Sequence, residues 1–110
     1  MELVSERLEN GLMVSVNASR IDAADSIEFK ERFRDQVVDW KGRIVLDLSA
    51  VEFLDSSGLG AVVAAMKALN ADSHMELAGL TPTVEKVFRL TRLDTVFKIH
   101  KTADAARLAA

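Results

Sequence analysis

A chain of 110 residues is long enough to bury one core and too short for two domains. Hydrophobic residues at 49% and charged residues at 28% are the balance of a soluble globular protein, and the net charge of −3 offers no clustered Lys and Arg surplus, so direct nucleic-acid binding is not expected. Cysteine is absent, which excludes disulfides, thiol catalysis and cysteine-ligated zinc.

The start Met1-Glu2-Leu3-Val4-Ser5 lacks the basic and apolar character of a signal peptide. The longest apolar run, around Leu59 to Met66, is too short to span a bilayer. A cytoplasmic protein without membrane insertion is expected.

Two alternating segments, Leu3 to Leu8 and Leu12 to Asn17, flank Asn10-Gly11, a pair suited to the positive φ angles of a tight turn, and predict a β-hairpin. After Asp22, the recurrence of Phe29, Phe33, Val37 and Trp40 predicts an amphipathic helix, with Trp40 packing at its end. Ile44-Val45-Leu46-Asp47-Leu48 is a nearly unbroken apolar run, as in a central strand covered on both faces, with Asp47 as a hydrogen-bonded strand-end residue.

Leu59, Val62, Val63, Met66 and Leu69 form the stripe of a second helix, capped by Ser56 or Ser57. Met75 to Gly79 reads as a further strand. Thr81-Pro82 matches an N-cap followed by proline at the first helical position, opening a third helix whose apolar side is Val84, Val87, Phe88 and Thr91. Val96 to Ile99 is predicted as the last strand, and the Ala-rich stretch from Thr102 to Ala110 as a helix that needs docking to be stable. The order β-β-α-β-α-β-α-β-α predicts an α/β fold with a mixed, mostly parallel sheet, an N-terminal hairpin and helices packed on it.

In such sheets, binding sites lie beyond the carboxyl ends of the strands, where Asp55-Ser56-Ser57-Gly58-Leu59-Gly60 falls. A helix N-terminus there offers free N–H groups and a partial positive charge that tolerate a phosphate. The same residues also make an ordinary capped helix start, and spacing alone does not separate the two readings. A hydrolase is disfavoured: His74 is expected in a loop a helix length away, His100 has no identifiable acid partner, and there is no Gly-x-Ser-x-Gly elbow. Neither a dinucleotide fingerprint nor a P-loop is present, and no metal-ligand spacing is recognisable, so no cofactor and no metal are expected.

Two blocks resemble the STAS domains, and among them the stand-alone anti-sigma factor antagonists of bacterial partner switching. One runs from Ile44-Val45-Leu46-Asp47-Leu48-Ser49 through Val51, Phe53 and Leu54 into Asp55-Ser56-Ser57-Gly58-Leu59-Gly60. The other comprises Leu77, Gly79, Leu80, Pro82, Val84, Val87-Phe88, Leu90-Thr91, Leu93-Asp94 and Val96-Phe97. The resemblance covers most of the chain and implies a single STAS domain over 1–110.

It further implies that Ser56, directly after the aspartate, is the phosphoacceptor, with Ser57 as the runner-up. Unphosphorylated protein would bind a serine kinase that doubles as an anti-sigma factor; phosphorylation would release it, and a PP2C-type phosphatase would reset the cycle. The chain itself would not be an enzyme. Asp22, Asp55, Ser56, Ser57, Gly58, Leu59 and Arg92 are the expected partner-binding residues.

Two positions depart from the family: Ser19 stands where glycine usually precedes Arg20-Ile21-Asp22, and Arg92 replaces the glycine common between Thr91 and Leu93. Two other readings compete. A non-switching STAS adaptor of a lipid-transport or signalling assembly would use Ser56 only as a cap, and a small nucleotide-handling enzyme would bind and turn over nucleotide by itself.

Overall fold

The structure, a computed structural model, describes residues 1–109. The chain opens with strands β1 (Glu2–Leu8) and β2 (Gly11–Asn17), paired antiparallel with Leu8 opposite Gly11, so the turn is Glu9-Asn10 rather than the expected Asn10-Gly11, and neither Asn10 nor Gly11 takes a positive φ. A two-residue strand β3 (Arg20–Ile21) precedes helix α1 (Ser26–Val37). Then follow β4 (Gly42–Asp47), a second two-residue strand β5 (Phe53–Leu54) and helix α2 (Ser56–Lys67). Strand β6 (Ser73–Ala78), helix α3 (Pro82–Leu90), a 3-10 turn at Leu93–Thr95, strand β7 (Ile99–His100) and helix α4 (Ala103–Leu108) complete it.

The main sheet has the order β1-β2-β4-β6-β7, parallel throughout except for the opening hairpin. The apolar run of β4 therefore lies in the middle strand, and Ile44, Val45 and Leu46 are all buried because both faces are covered. One face carries Val14, Val16, Ile44, Leu46, Met75 and Leu77 against α1, α2 and α3. The other carries Met13, Val45 and Ala78 against Ala106 of α4. Strands β3 and β5 pair with each other outside this sheet, parallel and in the register Ile21 to Leu54.

Four further local readings of the sequence need correction. Helix α1 ends at Val37, so Trp40 packs beyond it, half-buried, donating its indole N–H to the Arg43 carbonyl with the Arg7 guanidinium over its ring. His74 lies on β6 rather than in a loop. Val96 and Phe97 do not join the last strand: their N–H groups bond back to the Leu93 carbonyl, and only from Lys98, whose carbonyl accepts from Leu77 N, does the chain run alongside β6. Capping of α2 is the fourth and belongs to the site.

The tail helix docks as its composition requires, with Ala106 fully buried and Thr102 capping it through Ala105 N at 3.0 Å. Ala110, the last residue of that predicted helix, lies outside the described residues.

Candidate functional site

The Asp55 turn follows the carboxyl end of β5 and starts α2. Neither serine caps the helix. Asp55, in extended backbone, is the N-cap, and its Oδ1 accepts from Gly58 N at 2.8 Å. Its Oδ2 accepts from Ala23 N at 3.2 Å, which ties the turn to the loop between β3 and α1. With both carboxylate oxygens engaged by backbone donors, Ser56 and Ser57 become the first two residues of the helix. Both are exposed, and neither hydroxyl makes a hydrogen bond among the described residues.

Gly58 is buried because α2 lies directly against β3: a Cβ at this position would stand 2.0 Å from the Ile21 carbonyl oxygen. The helix start is thereby pressed onto the strand that leads into Asp22. Leu59, half-buried, turns back into the core. Asp22 organises the facing loop, its Oδ1 accepting from Ala24 N at 3.0 Å and Asp25 N at 3.3 Å. Burial opposes the Asp22 charge, but hydrogen bonds from Asp25 and Ala24 together with the nearby Arg20 guanidinium hold its carboxyl below the ordinary value. The Asp22 and Asp55 carboxylates thus hold the β3–α1 loop and the start of α2 together through backbone N–H groups, with Ser56 and Ser57 on that same turn.

Arg92 stands apart from that group. Thr81, at the start of α3, donates its hydroxyl to the Val51 carbonyl at 2.8 Å, so this end of α3 lies near β5. Arg92 follows the other end, roughly 15 Å further along at about 1.5 Å per residue. Its φ of 62° places it in the left-handed region, the conformation in which glycine is free of strain. The glycine expected at this position thus answers to backbone geometry.

Two features apart from the turn itself were not anticipated from sequence. The Arg20 guanidinium stacks over the Phe53 ring at 5.0 Å and pairs with Asp22 at 3.3 Å, making an exposed aromatic and cationic platform next to the serines' helix start. Its sequence signal was the pair Phe53-Leu54, of which only one can face the core. The second feature is remote: buried Glu76 gathers Arg43 at 2.9 Å, His100 at 2.8 Å and His74 at 3.1 Å. Both histidines are therefore paired with Glu76, which gives His100 the acid partner that sequence spacing did not identify.

Comparison with known proteins agrees with this architecture. The chain is 24% identical over 110 residues to a putative anti-sigma factor antagonist, BtrV, of Bordetella bronchiseptica, covering 99% of this chain and 94% of that one. It is 36% identical over 85 residues to the anti-sigma-B factor antagonist of Listeria monocytogenes, covering 74% and 73% respectively. The crystal structure of an anti-sigma factor antagonist from Mycobacterium paratuberculosis superposes with a TM-score of 0.83 at 30% identity, covering 96% of this chain and 89% of that one. The STAS domain model matches residues 3–106, and the chain belongs to the STAS domain family.

Proposed function

We propose that this protein is an anti-sigma factor antagonist that binds an anti-sigma factor serine kinase when unphosphorylated and leaves it when Ser56 carries a phosphate. The observation that carries this reading is the free, exposed Ser56 hydroxyl at the first position of α2, beside an aspartate whose oxygens are both occupied by backbone N–H groups. Asp55 fixes the turn through these two bonds and makes no hydrogen bond to the Ser56 hydroxyl among the described residues. A kinase would therefore meet an accessible acceptor on a rigid backbone.

Phosphorylation adds roughly 1.5 to 2 negative charges at neutral pH. Here they would enter a surface that already holds Asp22, Asp25 and Asp55, where Arg20 is already paired with Asp22. The helix N-terminus keeps the modified protein folded. A partner surface fitted to the neutral hydroxyl loses affinity: a penalty of about 3 kcal/mol corresponds to a little over 100-fold. Charge alone accomplishes the exchange, without refolding. A PP2C-type phosphatase would restore the binding form, and nothing in the reading requires catalysis by this chain.

The test uses the purified protein and its cognate kinase. Phosphate incorporation is expected in the wild type and in Ser57→Ala but not in Ser56→Ala, and calorimetry should give about 100-fold weaker binding for the phosphorylated protein. Equal affinity of the two forms, or incorporation that survives in Ser56→Ala, overturns the assignment.

A further inference from the structure

An apolar furrow of about 170 Å³ lies between α1 and α2, lined by Phe33 and Val37 on one side and Ala64, Ala65, Ala68 and Leu69 on the other. It exists because α2 presents alanines where it meets α1, and their methyl groups leave space between the two helices. Its size selects the occupant. Small-molecule and cofactor sites enclose roughly 300–1,000 Å³, whereas an apolar cavity of about 150 Å³ holds one benzene-sized group. This furrow matches one bulky apolar side chain.

The rim supplies the second criterion. Lys30 and Arg34, one helical turn apart on α1, border the furrow, and neither has an ion pair or hydrogen bond among the described residues. Elsewhere on α1, Arg32 is neutralised by Glu28. Glu31 is the third rim charge, which leaves two cations against one carboxylate on a chain whose net charge is −3. Ile27 and Val38 are 64% and 57% exposed at the two ends of α1, on the face that also carries Lys30, Glu31 and Arg34 at helical spacing, and they extend the apolar surface beyond the furrow.

We propose that the furrow is a docking site for a protein segment that inserts one bulky apolar side chain flanked by carboxylates. Apolar insertion supplies the affinity, and the unpaired Lys30 and Arg34 select an acidic context. The site lies along the flanks of α1 and α2 rather than at the Ser56 end, so it operates in either phosphorylation state and does not depend on the switch.

The test is an NMR titration of the isotope-labelled full chain with three probes: the blocked peptide Asp-Glu-Phe-Glu-Asp, its counterpart Lys-Lys-Phe-Lys-Lys, and octanoate. The acidic peptide should shift the amide signals of Phe33, Val37, Ala64 and Ala68 saturably, and equally in Ser56→Asp. Arg34→Glu, at an exposed position, should weaken it by about fivefold or more. Ala68→Leu, which fills the furrow from its exposed end, should abolish it, with a thermal melt confirming the fold; should that variant not fold, Arg34→Glu decides alone. Absence of shifts at the furrow, equal binding of the lysine peptide, octanoate binding as tight as the acidic peptide, or concentration-dependent shifts without any probe would each overturn the proposal.

Discussion

Gly58 and Gly60 stand two residues apart near the start of α2 and meet opposite surroundings. A Cβ on Gly58 would meet the Ile21 carbonyl oxygen at 2.0 Å, and backbone cannot move aside as a flexible side chain can. A Cβ on Gly60 meets nothing within 4 Å. Gly58→Ala is therefore expected to destabilise by about 3 kcal/mol through overpacking. It should also loosen the Asp55 cap, because Gly58 N is the donor that Oδ1 accepts. Gly60→Ala should stabilise by about 0.5–1 kcal/mol, since alanine loses less conformational freedom in a helix. Urea unfolding of the two variants checks the pair, and the same sign of change in both would contradict the packing described for α2 on β3.

At the scale of elements, the end of α3 shows how local geometry overrides pattern. The N–H of Thr91 bonds to the Val87 carbonyl, Arg92 takes the left-handed conformation, and the 3-10 turn then brings Phe97 edge-on to Phe88 with ring centroids 6.0 Å apart. Arg92→Gly should raise the thermal midpoint, with a gain of about 1 kcal/mol, because it relieves backbone strain at an exposed position. No gain in a thermal melt would mean that the arginine side chain offsets its backbone cost.

The same segment marks the limit of what periodicity reveals. The hairpin, the central strand, β6 and the three main helices were legible because each has several apolar residues at a fixed spacing. Val96 and Phe97 have strand-like chemistry, but the preceding turn takes their N–H groups. Strands β3 and β5 are two residues each, too short for any alternation to register. The Asp55 turn was legible as a location, but three successive residues suited to capping left its geometry open. The bond from Ala23, distant in sequence, accompanies the choice of Asp55 as the cap.

For the molecule as a whole, Glu76 is the titratable group that ties most parts together. It sits on β6 with Arg43 of β4 and His100 of β7, and Arg43 also donates to the Ala106 carbonyl of α4 at 2.9 Å and to Asn10 at 3.1 Å in the hairpin turn. Burial pushes the Glu76 carboxyl up, but hydrogen bonds from His100, Arg43 and His74 outweigh it and bring the group down to about 2 from an ordinary 4.5. A carboxyl depressed in the folded state stabilises fully above its unfolded value and loses that contribution as pH falls through the folded one. The contribution is about 3 kcal/mol at neutral pH, and it fades between about pH 4.5 and pH 2. Urea midpoints measured across that interval should fall steeply for the wild type. They should fall less steeply for Glu76→Gln, which is less stable at pH 7 because Arg43 loses its buried partner. The slope, rather than the absolute stability, is the decisive readout: an amide cannot take up the proton, so an unchanged slope in Glu76→Gln would place the acid sensitivity elsewhere in the fold.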